Sequence, residues 1–201
     1  MRKTFPPVIL FLLLCLPFKI YAWPVVYAEH FYRLYHQHMY QYPERTAENI
    51  MYLEYALRSP FANPLNALAT IEDAQHWERY RYLFYMHVNL RLTEMHLLWG
   101  SKYQKRKAYF YNAPWQRENL ESLDRAEELF RFALGYWEDA KQWSAKANKL
   151  KRYRLKEVQY WADENHRIEN GELDYTAIIE EQLRRVEKVR AAFKAMDETT
   201  Y

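Results

Sequence analysis

Residues 73–99 read DAQHWERYRYLFYMHVNLRLTEMHLLW. Trp77, Tyr80, Leu83, Phe84, Val88, Leu90 and Leu97 recur at helical spacing, but they spread around nearly the whole circumference instead of keeping to one stripe. A helix without a polar face is buried on all sides. This segment is therefore expected to be the central helix of an all-α domain, closed by the basic run from Lys102 to Lys107.

The flanking sequence supports that class. The chain contains only three glycines, Gly100, Gly135 and Gly171. Phosphate-cradling loops, dinucleotide fingerprints and nucleophile elbows all need glycine where backbone turns sharply or meets a ligand. Asn-Gly and Asp-Gly hairpin turns are missing between residues that could form strands. Ala, Leu, Glu, Lys, Arg and Gln dominate, which favours helix. Tyr27, Phe31, Leu34, Tyr35, His38 and Tyr42 form one helical stripe, ended by Pro43. Ile50, Leu53, Ala56 and Leu57 form another, ended by Pro60. Asn63-Pro64 and Asn112-Ala113-Pro114 read as helix starts, with a capping side chain ahead of a proline. Leu120, Leu123, Ala126, Phe130, Ala133, Leu134 and Trp137 share one face. Ser144 to Arg154 reads as a solvated face or a connection. Val158, Trp161 and Ala162 resume a helix that ends at Asn170-Gly171. Asp174 caps a last one carrying Ile178, Ile179, Leu183, Val186, Val189 and Phe193. The expected fold is about six helices in antiparallel hairpins, as a bundle or a tetratricopeptide-like array. The array alternative rests on Ala126, Phe130 and Ala133, whose spacing resembles the second helix of such a repeat; the Trp, Leu-Gly and Tyr positions upstream do not line up.

The N-terminus has a different character. Arg2 and Lys3 precede an apolar run from Phe5 to Phe18, and Ile20-Tyr21-Ala22 offers a small residue for cleavage. That is the layout of a secretory signal peptide over residues 1–22, followed by a single helical domain over 23–201. Pro6, Pro7 and Pro17 weigh against an uncleaved membrane anchor. Leu14 is too bulky to precede a lipidated cysteine at Cys15. Removal of 1–22 takes Arg2, Lys3 and Lys19 from the 29 basic residues and leaves 26 against 26 acidic ones. A balanced surface provides no concentrated positive face for nucleic acid. Without Cys15 the mature chain has no thiol, so core burial alone would stabilise it.

Candidates for chemistry are sparse. His36 and His38, two apart, point about 200° from each other on a helix and cannot share a metal; His30 has no partner at ligand spacing. Asp73 and His76 have the i, i+3 spacing of helical di-metal sites, but no second such element exists. Glu121-Ser122 matches a pair used by glycan-cleaving transglycosylases, without the glycine-rich segments that accompany it there. Glu127-Glu128 and Glu180-Glu181 read as solvated faces. No cofactor or metal is expected, and no catalytic residue.

The aromatic content is the unusual feature: 18% of residues, including 19 Tyr and 7 Trp. On the first mature helix, Tyr32, His36 and Tyr40 form a second stripe about 140° from the Phe31–Tyr35–His38–Tyr42 stripe. Either the helix is sandwiched, or this stripe meets a partner, since tyrosine combines apolar area with a polar tip. The expected partner surface is Tyr32, His36 and Tyr40 together with the turn at Pro60, Phe61 and Pro64.

Three strings, SPFANPLNALA (59–69), WERYRYLFYMHVNL (77–90) and AYFYNAPW (108–115), in an exported tyrosine-rich helical chain, resemble the periplasmic flagellar collar proteins of spirochaetes. That resemblance spans most of the mature chain. It implies a non-enzymatic structural subunit that contacts other collar or motor proteins, with membrane contact at most peripheral or through an uncleaved signal. The other function class weighed is a helical periplasmic ligand-binding accessory of a transporter. It requires a deep apolar pocket lined by Trp77, Tyr80 or Trp137.

Overall fold

A computed structural model describes residues 25–197. The signal-like segment 1–22, with Cys15, lies outside the described residues. Six α-helices follow in order: α1 (Ala28–Gln41), α2 (Thr46–Arg58), α3 (Ala74–Tyr103), α4 (Gln116–Asn148), α5 (Gln159–Glu169) and α6 (Tyr175–Lys194). Short 3-10 turns occupy Pro64–Asn66, Phe110–Trp115 and Lys156–Val158, and the described residues contain no strand. The protein is all-α.

The expected central helix is central. α3 starts where Asp73 Oδ1 accepts a hydrogen bond from the His76 backbone N–H at 2.7 Å, satisfying one of the free donors of the first turn. It pairs antiparallel with α4 over the largest interface in the fold. α6 lies along α4, α1 pairs with α2, and both α2 and α5 rest on α3. One core gathers Tyr32, Tyr35, Leu53, Tyr80, Leu83, Phe84 and Trp161. A second gathers Leu90, Leu123, Phe130, Trp137, Ile179, Val186 and Phe193. α3 supplies both, which is why its sequence has no polar face.

α3 and α4 have 30 and 33 residues. Each is nearly as long as a whole tetratricopeptide repeat, so the Ala126–Phe130–Ala133 spacing marks close packing within a bundle, not a repeat. The close approach is visible at Gly100. A Cβ there would lie 2.6 Å from Phe130 Cε1, inside the fully buried ring. Gly135, on the outer side of α4, would meet nothing within 4 Å. Gly100→Ala is therefore expected to cost about 1–3 kcal/mol through overpacking, despite the better helix propensity of alanine. Gly135→Ala should add about 0.5–1 kcal/mol. Urea unfolding of the two variants checks the opposite signs.

Two boundaries and one helix face differ from expectation. Asn63-Pro64 opens only a 3-10 turn: Asn63 Oδ1 caps the Leu65 N–H at 3.0 Å, but Ala67 is already extended, and the next helix waits for Asp73. α4 continues through the start of the stretch read as a connection, because Ser144 and Ala147 extend the small-residue face of Ala140 into the core. The link itself is 149–155, pinned by the fully buried Leu155. The third difference is in α1, where the buried residues are Ala28, Glu29, Tyr32 and Tyr35. The helix is sandwiched. Phe31 and His38 turn to α2, through the Tyr55 ring at 5.2 Å and Asn49 Oδ1 at 2.9 Å. Tyr32 turns to α3 and α5. The ends of the first stripe, Tyr27 and Tyr42, remain exposed.

Gly171 adopts φ +72 after α5, the left-handed conformation that glycine tolerates. Asp174 Oδ1 accepts from the Thr176 N–H at 2.8 Å and starts α6.

Candidate functional site

The residues expected to form a partner surface separate in three dimensions. Tyr32 is 3% exposed and Tyr40 is 91% exposed. Tyr32 is thereby corrected from an interface residue to a core residue: its ring meets Phe84 and Trp161 at 5.5 and 5.9 Å. His36 is exposed, with its ring against the Tyr32 edge at 4.5 Å. The Pro60–Pro64 turn is clamped to the start of α1. The Pro60 carbonyl accepts from the Ala28 N–H at 2.9 Å, and the buried Glu29 carboxylate accepts from the Ala62 N–H at 2.9 Å. Phe61 packs among Trp77, Tyr80, Phe84 and Tyr85, so it too serves the core. Pro60 and Pro64 are exposed.

The densest chemistry was not among the sequence candidates. His87 and Arg91 lie one turn apart on α3, with Glu94 a further turn on; Tyr160 and Glu164 lie one turn apart on α5. The Glu164 carboxylate accepts from His87 Nδ1 at 2.5 Å and from the Arg91 guanidinium. With Nδ1–H so engaged, His87 Nε2 accepts from the Tyr32 hydroxyl at 2.8 Å, and Tyr160 donates to the Tyr32 oxygen at 3.0 Å. At the other end Arg91 pairs with Glu94 at 2.6 Å, and the Tyr175 hydroxyl donates to Glu94 at 2.8 Å. One polar line thus joins α1, α3, α5 and α6. The signal available in sequence was His87, Arg91 and Glu94 at i, i+4 and i+7 within an otherwise apolar helix.

Glu164, His87 and Tyr32 follow the order carboxylate, imidazole, hydroxyl. In a nucleophilic relay the hydroxyl opens onto a substrate. Here burial raises the Tyr32 phenol far above its ordinary value. Rings close over it. The arrangement clamps helices.

The proton balance of the clamp has a definite sign. Burial lowers His87 below the ordinary histidine value, against the pull of Glu164. Burial likewise lowers His96, against its bond to the Leu92 carbonyl. A histidine lowered in the fold takes up its proton first in the unfolded chain, so stability drops as pH falls below about 6.5. Burial would raise Glu164, but the hydrogen bond and charge of His87, with Arg91, outweigh it and hold the carboxylate below its usual range. Its contribution is complete above the ordinary carboxylate value and lost under stronger acid. Glu94, raised by burial, works the other way and loses stability as pH rises through its own window. With His36, His87 and His96 all lowered in the fold, the urea midpoint should be lower at pH of about 5 than at about 7.5. His87→Gln should shrink that difference.

Other sequence candidates have structural roles. Asp73 and His76 form the α3 cap, and His76 Nδ1 accepts from the Glu72 N–H at 3.2 Å. Glu121 is solvent-exposed near Arg117 at 3.9 Å. Tyr80 and Trp137 are fully buried, and Trp77 stacks on Tyr80 at 5.2 Å, so these rings fill core space instead of lining a void. Among the described residues no three His, Cys, Asp or Glu side chains are grouped to hold a metal, and no helix is long and apolar enough to cross a membrane.

Fold and site together define an all-α bundle whose peripheral helices are fastened by a buried polar line. The chain belongs to the DUF8513 family, described as a domain of unknown function, which matches residues 75–196. No curated protein and no solved structure matches it. The matched stretch holds α3 to α6, with His87, Arg91, Glu94, Tyr160, Glu164 and Tyr175; Tyr32 and the rest of α1 and α2 lie outside it.

Proposed function

We propose that the chain is a non-catalytic assembly protein of the cell envelope, and within that class a structural subunit of the periplasmic flagellar collar. One observation carries the assembly reading: large side chains are displayed on a body whose reactive-looking groups are enclosed. Tyr40 and Leu65 are each 91% exposed, in the last turn of α1 and in the turn clamped to its first. Such groups at two ends of one helix suit a subunit that touches more than one neighbour. The α3–α4 hairpin gives a stiff body, about 45–50 Å long at 1.5 Å per residue. The envelope location rests on residues 1–22 and the collar assignment on the three resembling strings.

The test is affinity capture from cross-linked envelopes, read by mass spectrometry, with Tyr40→Ala/Leu65→Ser as the comparison. The intact chain is expected to start at Trp23 after export and to bring down motor or collar proteins. The double variant should capture less at unchanged helical content. Recovery of transporter subunits instead would favour the ligand-binding accessory, and equal capture by the variant would remove Tyr40 and Leu65 from the interface.

A further inference from the structure

A polar cleft of about 570 Å³ lies between the first half of α3, the 149–155 link and α5. That volume suits a small molecule. Arg79, Arg152, Arg154, Gln159, Asn165 and His166 line it. Two of them are buried: Arg79 and Asn165 are each 3% exposed.

Burial on this scale normally requires full hydrogen bonding, and here it is incomplete. Arg79 Nη1 donates to the Ala147 carbonyl at 2.6 Å, but its Nε has no partner. Asn165 Nδ2 donates to Asn148 Oδ1 at 2.6 Å, but its own Oδ1 has none. Gln159 Oε1 is also without one. Each unmatched buried polar atom calls for an explanation. The three sit on side chains that line one cleft, yet each atom is closed to solvent, so they mark its polar wall and do not themselves reach a molecule bound in it.

The charges indicate its kind. Arg79, Arg152 and Arg154 share the lining with Asp163 and Glu169. Among the described residues Arg154 has no ion-pair partner within 4 Å, and it is exposed. Arg152 reaches Glu169 at 3.0 Å, but that pair is largely exposed, so it adds little and gives way readily. The Arg79 guanidinium is lowered by burial and then by the charge of Arg152, against the opposing charge of Glu169.

We propose that this cleft binds a small polar ligand carrying an oxyanion, a phosphate or a carboxylate, held by Arg79, Arg152 and Arg154. Planar guanidinium forks match both oxyanions. The inference is independent of the assembly reading, since it concerns α3 and α5 and not the exposed ends of α1.

The test is titration of the purified full-length chain with inorganic phosphate and, separately, with succinate, by calorimetry. Saturable one-to-one binding is expected with at least one probe. Phosphate alone indicates a phosphorylated ligand, and succinate alone a carboxylate. Arg152→Gln/Arg154→Gln should weaken it by at least about tenfold while leaving the melting profile intact, because both side chains are exposed. Asn165→Asp should weaken it as well by adding a further carboxylate to a lining that already holds Asp163 and Glu169. Failure of both probes to saturate, or binding that the double arginine variant leaves unchanged, overturns the proposal.

Discussion

Glu164→Ala is expected to cost the fold about 3–5 kcal/mol, read from urea unfolding of the otherwise native chain. The carboxylate is 12% exposed and serves two partners at once, Arg91 and the nearly fully buried His87. Removing it leaves a guanidinium without its α5 counter-ion and an imidazole N–H without an acceptor, both in a poorly solvated seam. The loss comes mainly from those stranded groups and not from the pair's intrinsic worth. Glu164→Gln separates the two contributions. It keeps the volume and one acceptor, so it should lose only about 1–2 kcal/mol. A cost below about 1 kcal/mol for the alanine variant would mean that α5 is held by ring packing alone.

The fold was legible because its strongest signals are local. The apolar circumference of 73–99, the cap at Asp174 and Gly171 each act within a turn or two, and each is found where the pattern places it, whereas the cap expected at Asn63 is taken by Asp73. The errors arose where two neighbours compete for one helix. On α1 the periodicity was real, but one helix seen alone cannot reveal that Phe31 faces α2 while Tyr32 faces α3 and α5. The clamp was harder still. Glu164 lies 77 residues from His87 and Tyr160 lies 128 from Tyr32, so no window of sequence holds both ends. Only its α3 side, His87, Arg91 and Glu94, could be read as a polar line in an apolar helix. The cleft beside it was invisible for the same reason. Arg79 and Asn165 look like ordinary surface residues until α3 and α5 are brought together.

The span of the family match gives the clamp a further meaning. His87, Tyr160 and Glu164 fall within residues 75–196 and Tyr32 falls before them. The α1–α2 hairpin is therefore an element laid on the matched unit, and Tyr32 is the side chain by which it enters that unit's polar line. The Glu29 carboxylate makes a second fastening, through the Ala62 N–H and the Tyr80 hydroxyl at 3.4 Å. Two buried polar contacts at one helix specify its seat more sharply than apolar packing does, because a slipped register would leave each of them unsatisfied.

Tyr32→Ala is accordingly expected to cost about 3–5 kcal/mol and Tyr40→Ala less than about 0.5, although the two residues occupy one stripe of one helix. Tyr32 loses a buried ring and strands the buried His87 Nε2. Tyr40 loses contacts only with water. Tyr32→Phe keeps the ring and should cost about 1–3 kcal/mol, the penalty of leaving the buried His87 Nε2 without its donor. Hydrogen exchange would localise the effect: the α1 amides should lose protection in Tyr32→Ala before those of α3 and α4, because the hairpin can detach while the central pair holds. In envelope capture the order reverses, with Tyr40→Ala weakening assembly on a sound fold and Tyr32→Phe leaving it intact. Equal stability losses at the two positions would mean that α1 does not sit on α3 and α5 through Tyr32.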